Sequence, residues 1–241
     1  MTMEPRRPSA TESLAEMTAR VAAFQVDSVP REPALGLPET LRDKVAPGTG
    51  ELRPFFGSTV AYFLEDDDER LLADVAAELR AVHGPGLAAP LPADSLHVTL
   101  HDLHASADLA EVASRIFLDG PRAATRLATA CGLGPVRMRA TTVFNLLNIS
   151  VVVGLVPATP DDHARLVAGR ALFDDLVRAP SFTPHVTLAY YRPDSDEPID
   201  PDVLRATLDR LTGRVAGHEL ILDPSWLYVC HFSSMATYWP I

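Results

Sequence analysis

Two stretches decide how this chain folds: Leu96–His101, LHVTLH, and Pro184–Tyr190, PHVTLAY. Both contain the tetrapeptide HVTL, and in both apolar residues alternate with polar ones, the period of a strand with one buried face. His97 and Thr99 then share a face about 6–7 Å apart, as do His185 and Thr187, while Val98, Leu100, Val186 and Leu188 point to a core behind them. A chain with eight histidines and 47% hydrophobic residues yields roughly 0.1 apolar-flanked His-x-Thr by chance, so two arise on the order of once per hundred such chains.

Outward from these strands the two halves of the chain repeat one order of elements. The first half reads as a strand over Ser58–Leu64, a helix over Asp67–Val82, the loop HGPGLAAPLP, a strand over Ser95–Leu103, and helices over Asp108–Phe117 and Pro121–Ala130. The second half opens with a strand pair, Val136–Phe144 and Ile149–Val156, around NLLN. A helix over Asp161–Arg178, entered through Thr159-Pro160, a strand over Thr183–Tyr191 and a helix over Asp200–Leu211 follow. Glu219–Leu222, Trp226–Phe232 and Ala236–Trp239 read as closing strands. Ser58 precedes His97 by 39 positions and Asn148 precedes His185 by 37, the mark of a duplicated unit. The pattern predicts an α+β fold of two lobes with antiparallel sheets.

Residues 1–54 follow another rule. Ser9–Phe24 carries Leu14, Met17, Val21 and Phe24 at helical spacing, and Val29–Pro54 holds prolines at 30, 33, 38, 47 and 54 that block regular structure. We read 1–54 as an N-terminal extension that packs on or caps the domain, with a disordered arm as the alternative, and 55–241 as the domain.

A formal net charge of −11 argues against gripping long nucleic acid or an anionic membrane surface. No apolar run approaches the ~20 residues of a bilayer span, nor is there a signal-peptide core, so a cytoplasmic protein is expected. Cys131 and Cys230 lie too far apart for a CxxC pair, which speaks against a disulfide framework or structural zinc.

Two strands related by a pseudo-two-fold would present two imidazoles and two hydroxyls to one groove. Around a phosphodiester, a neutral histidine takes the proton of the attacking water, a protonated one gives a proton to the leaving alcohol, and the threonines donate to the non-bridging oxygens. No metal or other cofactor is required.

The paired motifs, about 90 residues apart in a duplicated α+β chain, resemble those of the two-histidine (2H) phosphoesterase superfamily. That group includes RNA 2′,3′-cyclic phosphodiesterases, also called 2′–5′ RNA ligases. FFGSTVAYFL and LPADSLHVTLHDL further resemble a cyclic-phosphodiesterase-like branch, and WLYVCHFSSMATYW the family's terminal strands. The resemblance covers roughly residues 55–241. It implies a bilobal fold with two mainly antiparallel sheets flanking a central cleft and helices outside, with His97, Thr99, His185 and Thr187 as the catalytic set. The implied activity is metal-independent hydrolysis of a small cyclic phosphate, or of a 2′-linked or oligonucleotide-end phosphodiester; a monomer is expected. 2′–5′ RNA ligation at the same site, and a nucleotide-binding sensor without turnover, are the rivals.

Among other residues, alternation puts His101 on the face of His97 and Thr99, and Tyr191 on that of His185 and Thr187, with Tyr190 in the core. Both are candidate substrate contacts, Tyr191 by stacking on a base. Arg139 and Arg192 are candidates to meet the phosphate, with Arg137 beside Arg139 on the same face. His97, His101 and His104 would converge on a metal only if helical. The zincin pattern needs Glu where Val98 stands, and the stretch reads as a strand. Trp226 and Trp239 are expected in the core or between the lobes.

Overall fold

The computed structural model describes residues 12–32, 34–178 and 182–241. Ser9, Ala10 and Thr11, which begin the predicted first helix, lie outside the described residues.

The first half is built from two strands and two long helices. Phe56–Phe63 forms β1, Asp66–His83 forms α3 and His97–Ser106 forms β2. Asp66, Asp67, Asp68 and Glu69 all fall in the first turn of α3, where carboxylates meet the positive end of the helix dipole. Leu72, Val75 and Leu79 form its buried stripe. One helix, α4 (Leu109–Cys131), replaces the two expected there and carries Pro121 inside it. A mid-helix proline costs about 3 kcal/mol. Burial of Val112, Gly120, Ala123 and Ala130 against β1 and β2 offsets that loss.

The second half comprises β3 (Val136–Leu146), β4 (Ser150–Pro157), α5 (Pro160–Ala171), β5 (His185–Tyr190) and α6 (Pro201–Val215). Thr159 caps α5 by accepting from the Asp162 amide, and Pro160 sits in its first turn, as the sequence suggested. The helix ends at Ala171 and turns follow, so it is shorter than the predicted span to Arg178. The closing strands are β6 (Glu219–Leu222), β7 (Leu227–Ser234) and β8 (Thr237–Pro240).

The eight strands of the described residues join one sheet in the order β6-β3-β4-β5-β2-β1-β7-β8, and every registered pairing is antiparallel. The two sheets expected are therefore two four-stranded halves of one. They meet where β2 pairs with β5 at Val98 and Val186. That seam brings the two HVTL segments side by side.

The 12–54 segment packs into the same core. It contains α1 (Leu14–Gln25) and a short α2 (Glu39–Arg42). Ser13 and Glu16 form a capping box at the start of α1. Met17, Val21, Leu41 and Val45 are each 1% exposed or less, and burying side chains of this size contributes about 1.5–3 kcal/mol apiece. A Cβ on Gly154 would come within 2.4 Å of the Gln25 amide nitrogen, and Gly154 is the register partner of His185. Helix α1 therefore lies over β4 on the face that carries the histidine. This explains why every residue of β4 is buried: both of its faces are covered, so its sequence shows no alternation.

The expected place of the tryptophans is corrected. Trp226 sits in a turn before β7 and Trp239 on edge strand β8, and they are 38% and 43% exposed.

Candidate active site

Each HVTL segment begins its strand with the histidine, and each ring is tethered in the same way. His97 Nδ1 donates to the carbonyl oxygen of Ser95 at 2.7 Å, and His185 Nδ1 to that of Thr183 at 2.8 Å. A carbonyl only accepts, so Nδ1 carries the hydrogen in both rings and Nε2 of each is left for the cleft. Thr99 and Thr187, two residues on, line the same cleft. The four residues named from the motifs thus converge.

The cleft has a volume of about 460 Å³, within the range of small-ligand sites. The Tyr238 ring lies 4.7 Å from His97 and the Phe63 ring 5.6 Å. Burial pushes the pKa of both histidines below its ordinary value. The tethering carbonyls and the Asp102 carboxylate work upward. His185 depresses His97, and Lys44 depresses His185.

Asp102, not His101, shares this cleft. Ala61 pairs with Thr99 and Val60 with His101, which leaves Leu100 as an extra residue in β2. Such a bulge reverses the facing of the residues that follow, until a second shift at Leu103, between the pairings of Thr59 with Asp102 and Ser58 with His104, reverses it again. His101 is consequently fully buried behind the strand. It donates from Nδ1 to the Asp102 carbonyl at 2.7 Å and meets Asp174 through Nε2 at 3.2 Å. His104 also turns away and pairs with Asp119 at 2.8 Å. The histidines at 97, 101 and 104 therefore do not converge, and among the described residues no group of three His, Cys, Asp or Glu is arranged to hold a metal.

Strand β5 repeats the bulge at the equivalent place. Thr187 pairs with Val152 and Ala189 with Val151, so Leu188 is extra. Tyr191 is 1% exposed in the core, and Tyr190 lines the cleft instead. Asp102 and Tyr190 are thus counterparts, each five residues after its histidine. Desolvation, with Asp102 nearby, pushes the Tyr190 hydroxyl up to about 12.

The candidate arginines lie elsewhere. Arg139 donates to the Ala158 carbonyl at 3.2 Å, and Arg137 pairs with Asp162 on the far side of β3. Arg192 lies past the second bulge, beside Gly36 and Gly50. The cations that do line the cleft are Lys44, from the N-terminal segment, and Arg170, from α5. The Arg170 guanidinium donates to the Leu100 carbonyl at the bulge and lies 4.1 Å over the Phe182 ring. No periodicity flagged either residue.

Comparison with known proteins adds a fold relationship. No family model matches the sequence, and no curated protein matches it. Among solved structures, a conserved protein of unknown function from Agrobacterium tumefaciens is similar, with 19% identity over 90% of this chain and 96% of that one and a TM-score of 0.64. E. coli LigT in apo form is similar at 18% identity over 78% of this chain and 95% of that one, with a TM-score of 0.41. LigT complexed with 3′-AMP is similar at 17% identity, covering 78% and 95% of the two chains with a TM-score of 0.37. At such identities the likeness is one of fold, and this chain shares the fold of the Agrobacterium protein along nearly the whole length of both.

Proposed function

We propose that this chain is a metal-independent phosphodiesterase of the two-histidine type, acting on a small cyclic phosphate or on a 2′-linked or oligonucleotide-end phosphodiester. One observation carries the reading: two imidazoles with the same carbonyl tether leave Nε2 facing one cleft, each with a threonine hydroxyl two residues away. A phosphodiester between them receives base and acid from opposite sides. One ring, neutral, accepts the proton of the attacking water at Nε2. The other, protonated, gives its Nε2 proton to the leaving oxygen. Thr99 and Thr187 donate to the non-bridging oxygens as negative charge gathers there. Burial keeps the resting rings neutral, and the anionic substrate draws a proton onto one of them.

The experiment is hydrolysis of a panel of 2′,3′-cyclic nucleotides, 2′–5′ oligoadenylate and ADP-ribose cyclic phosphate, with product regiochemistry, by the wild type and by His97→Ala and His185→Ala. Turnover of one substrate class, resistant to chelators and abolished in both folded variants, is the expected result. Full activity in either variant overturns the acid–base assignment. Tight binding without turnover favours the sensor reading, and joining of RNA ends favours ligation.

A further inference from the structure

The N-terminal segment reaches the cleft twice. Helix α1 brings Phe24 to its wall, and Arg20 donates to the Phe182 carbonyl and, at 3.1 Å, to the Thr183 hydroxyl. Thr183 is the residue whose carbonyl holds the His185 ring. Beyond α2 the chain then delivers Lys44 into the cleft itself.

Lys44 sits as a cation awaiting an anion. Its ammonium lies 5.2 Å from the centre of the Phe55 ring and 5.9 Å from that of Tyr190, and among the described residues no ion pair engages it. The other lining cation is tethered: Arg170 holds the Leu100 carbonyl and is stacked on Phe182. The charge of Lys44 is felt at His185, whereas that of Arg170 is felt at the buried His101 and at neither cleft histidine. Desolvation pushes the Lys44 pKa down while Asp102 and Asp43 pull it up. With π-clouds beside it and Asp102 and Asp43 acting on it only through space, the half-buried ammonium is weakly compensated until a phosphate pairs with it directly.

The geometry points to Lys44 as the residue that binds the substrate's phosphate, supplied by the N-terminal segment and not by either HVTL strand, and to a compact anionic phosphodiester of about mononucleotide size as the ligand. This rests on the phosphodiesterase reading for the identity of the bound group.

Calorimetric titration of inorganic phosphate, 2′,3′-cyclic AMP and adenosine into the full chain tests it. Lys44→Met should weaken phosphate and cyclic AMP about ten- to a hundredfold, the range for a lost charged hydrogen bond, and leave adenosine unchanged. Lys44→Arg should recover most of the loss. The ligand-free Lys44→Met protein should melt no lower than wild type, because the desolvated charge is gone, and Lys44→Gln repeats the measurement if the methionine variant does not fold. Unchanged phosphate affinity in a folded variant, an equal loss for adenosine, or a wild type that binds no phosphate overturns the assignment. A wild type that binds the cyclic nucleotide without hydrolysing it defeats the phosphodiesterase reading while the contrast between variants still decides Lys44.

Discussion

His101→Ala separates the two faces of β2. By simple alternation His101 belongs with His97 and Thr99, and its loss would then weaken substrate binding at little cost in stability. The bulge at Leu100 places it instead in the core, with its two ring nitrogens on the Asp102 carbonyl and Asp174 and its ring 5.9 Å from that of Phe173. A neutral imidazole has one N–H for these two acceptors, a hydrogen bond worth about 1 kcal/mol net, and truncating a buried side chain leaves a cavity that adds about 2 kcal/mol or more. A total of about 3 kcal/mol is expected, which in a chain of this length lowers Tm by about 6–12 °C. Burial holds the His101 pKa below the ordinary histidine value of ~6.5. Between the folded and unfolded pKa values the unfolded chain binds a proton that the folded one does not. Stability is therefore full above about pH 6.5 and falls as pH drops below it, by about 1.4 kcal/mol per unit for one group. Thermal unfolding by circular dichroism between pH 5 and 8 reads this out, beside hydrolysis measured well below Tm. The variant should melt lower, lose part of the acid sensitivity, and keep turnover within about tenfold. Wild-type Tm together with a raised KM would refute the placement of His101 in the core.

Four further outcomes follow from the same geometry. His97→Ala and His185→Ala should each lower kcat by about 10²–10⁴, and the double variant should lose little more, because the two rings act as a unit; additive losses in single-turnover assays would argue against the pair. Tyr191→Phe removes a buried hydroxyl that has no partner among the described residues, so Tm should hold or rise by a few degrees, whereas Tyr190→Leu should raise KM. The pH optimum of kcat/KM should lie below ~6.5, since burial depresses both cleft histidines and the acid must be protonated. Asp102→Asn removes a charge that raises both and should move the optimum further to the acid side; an alkaline shift would contradict the cleft electrostatics.

The sequence was legible where one rule governed many residues. HVTL repeats, period-2 alternation and capped amphipathic helices led to the antiparallel α+β fold and to His97, Thr99, His185 and Thr187 on one cleft. It misled at Leu100 and Leu188 because no glycine or proline marks either bulge. A signal was present all the same. Buried apolar residues run 96, 98, 100 and then 103 in the first strand, and 186, 188, 189 and 191 in the second. A step of three in the first strand and two adjacent apolar residues in the second mark the extra residue, exchanging His101 for Asp102 and Tyr191 for Tyr190. Lys44 and Arg170 left no comparable trace, since a cation reaches a cleft by tertiary placement and neither period records where a distant segment docks.

The net charge of −11 takes its meaning from that placement. With neutral imidazoles, the charged residues lining the cleft among the described residues are Lys44, Arg170 and Asp102, one positive unit in all, within a protein of net charge −11. Such a local field admits a small phosphate and discourages a long strand. Without Lys44, the Arg170 and Asp102 charges cancel and the cleft offers an incoming anion no net positive charge. In the proposed reading the 12–54 segment therefore supplies the cleft's net positive charge. Its proline-rich stretch matters for where it holds one ammonium, between Phe55 and Tyr190, more than for any regular structure it forms.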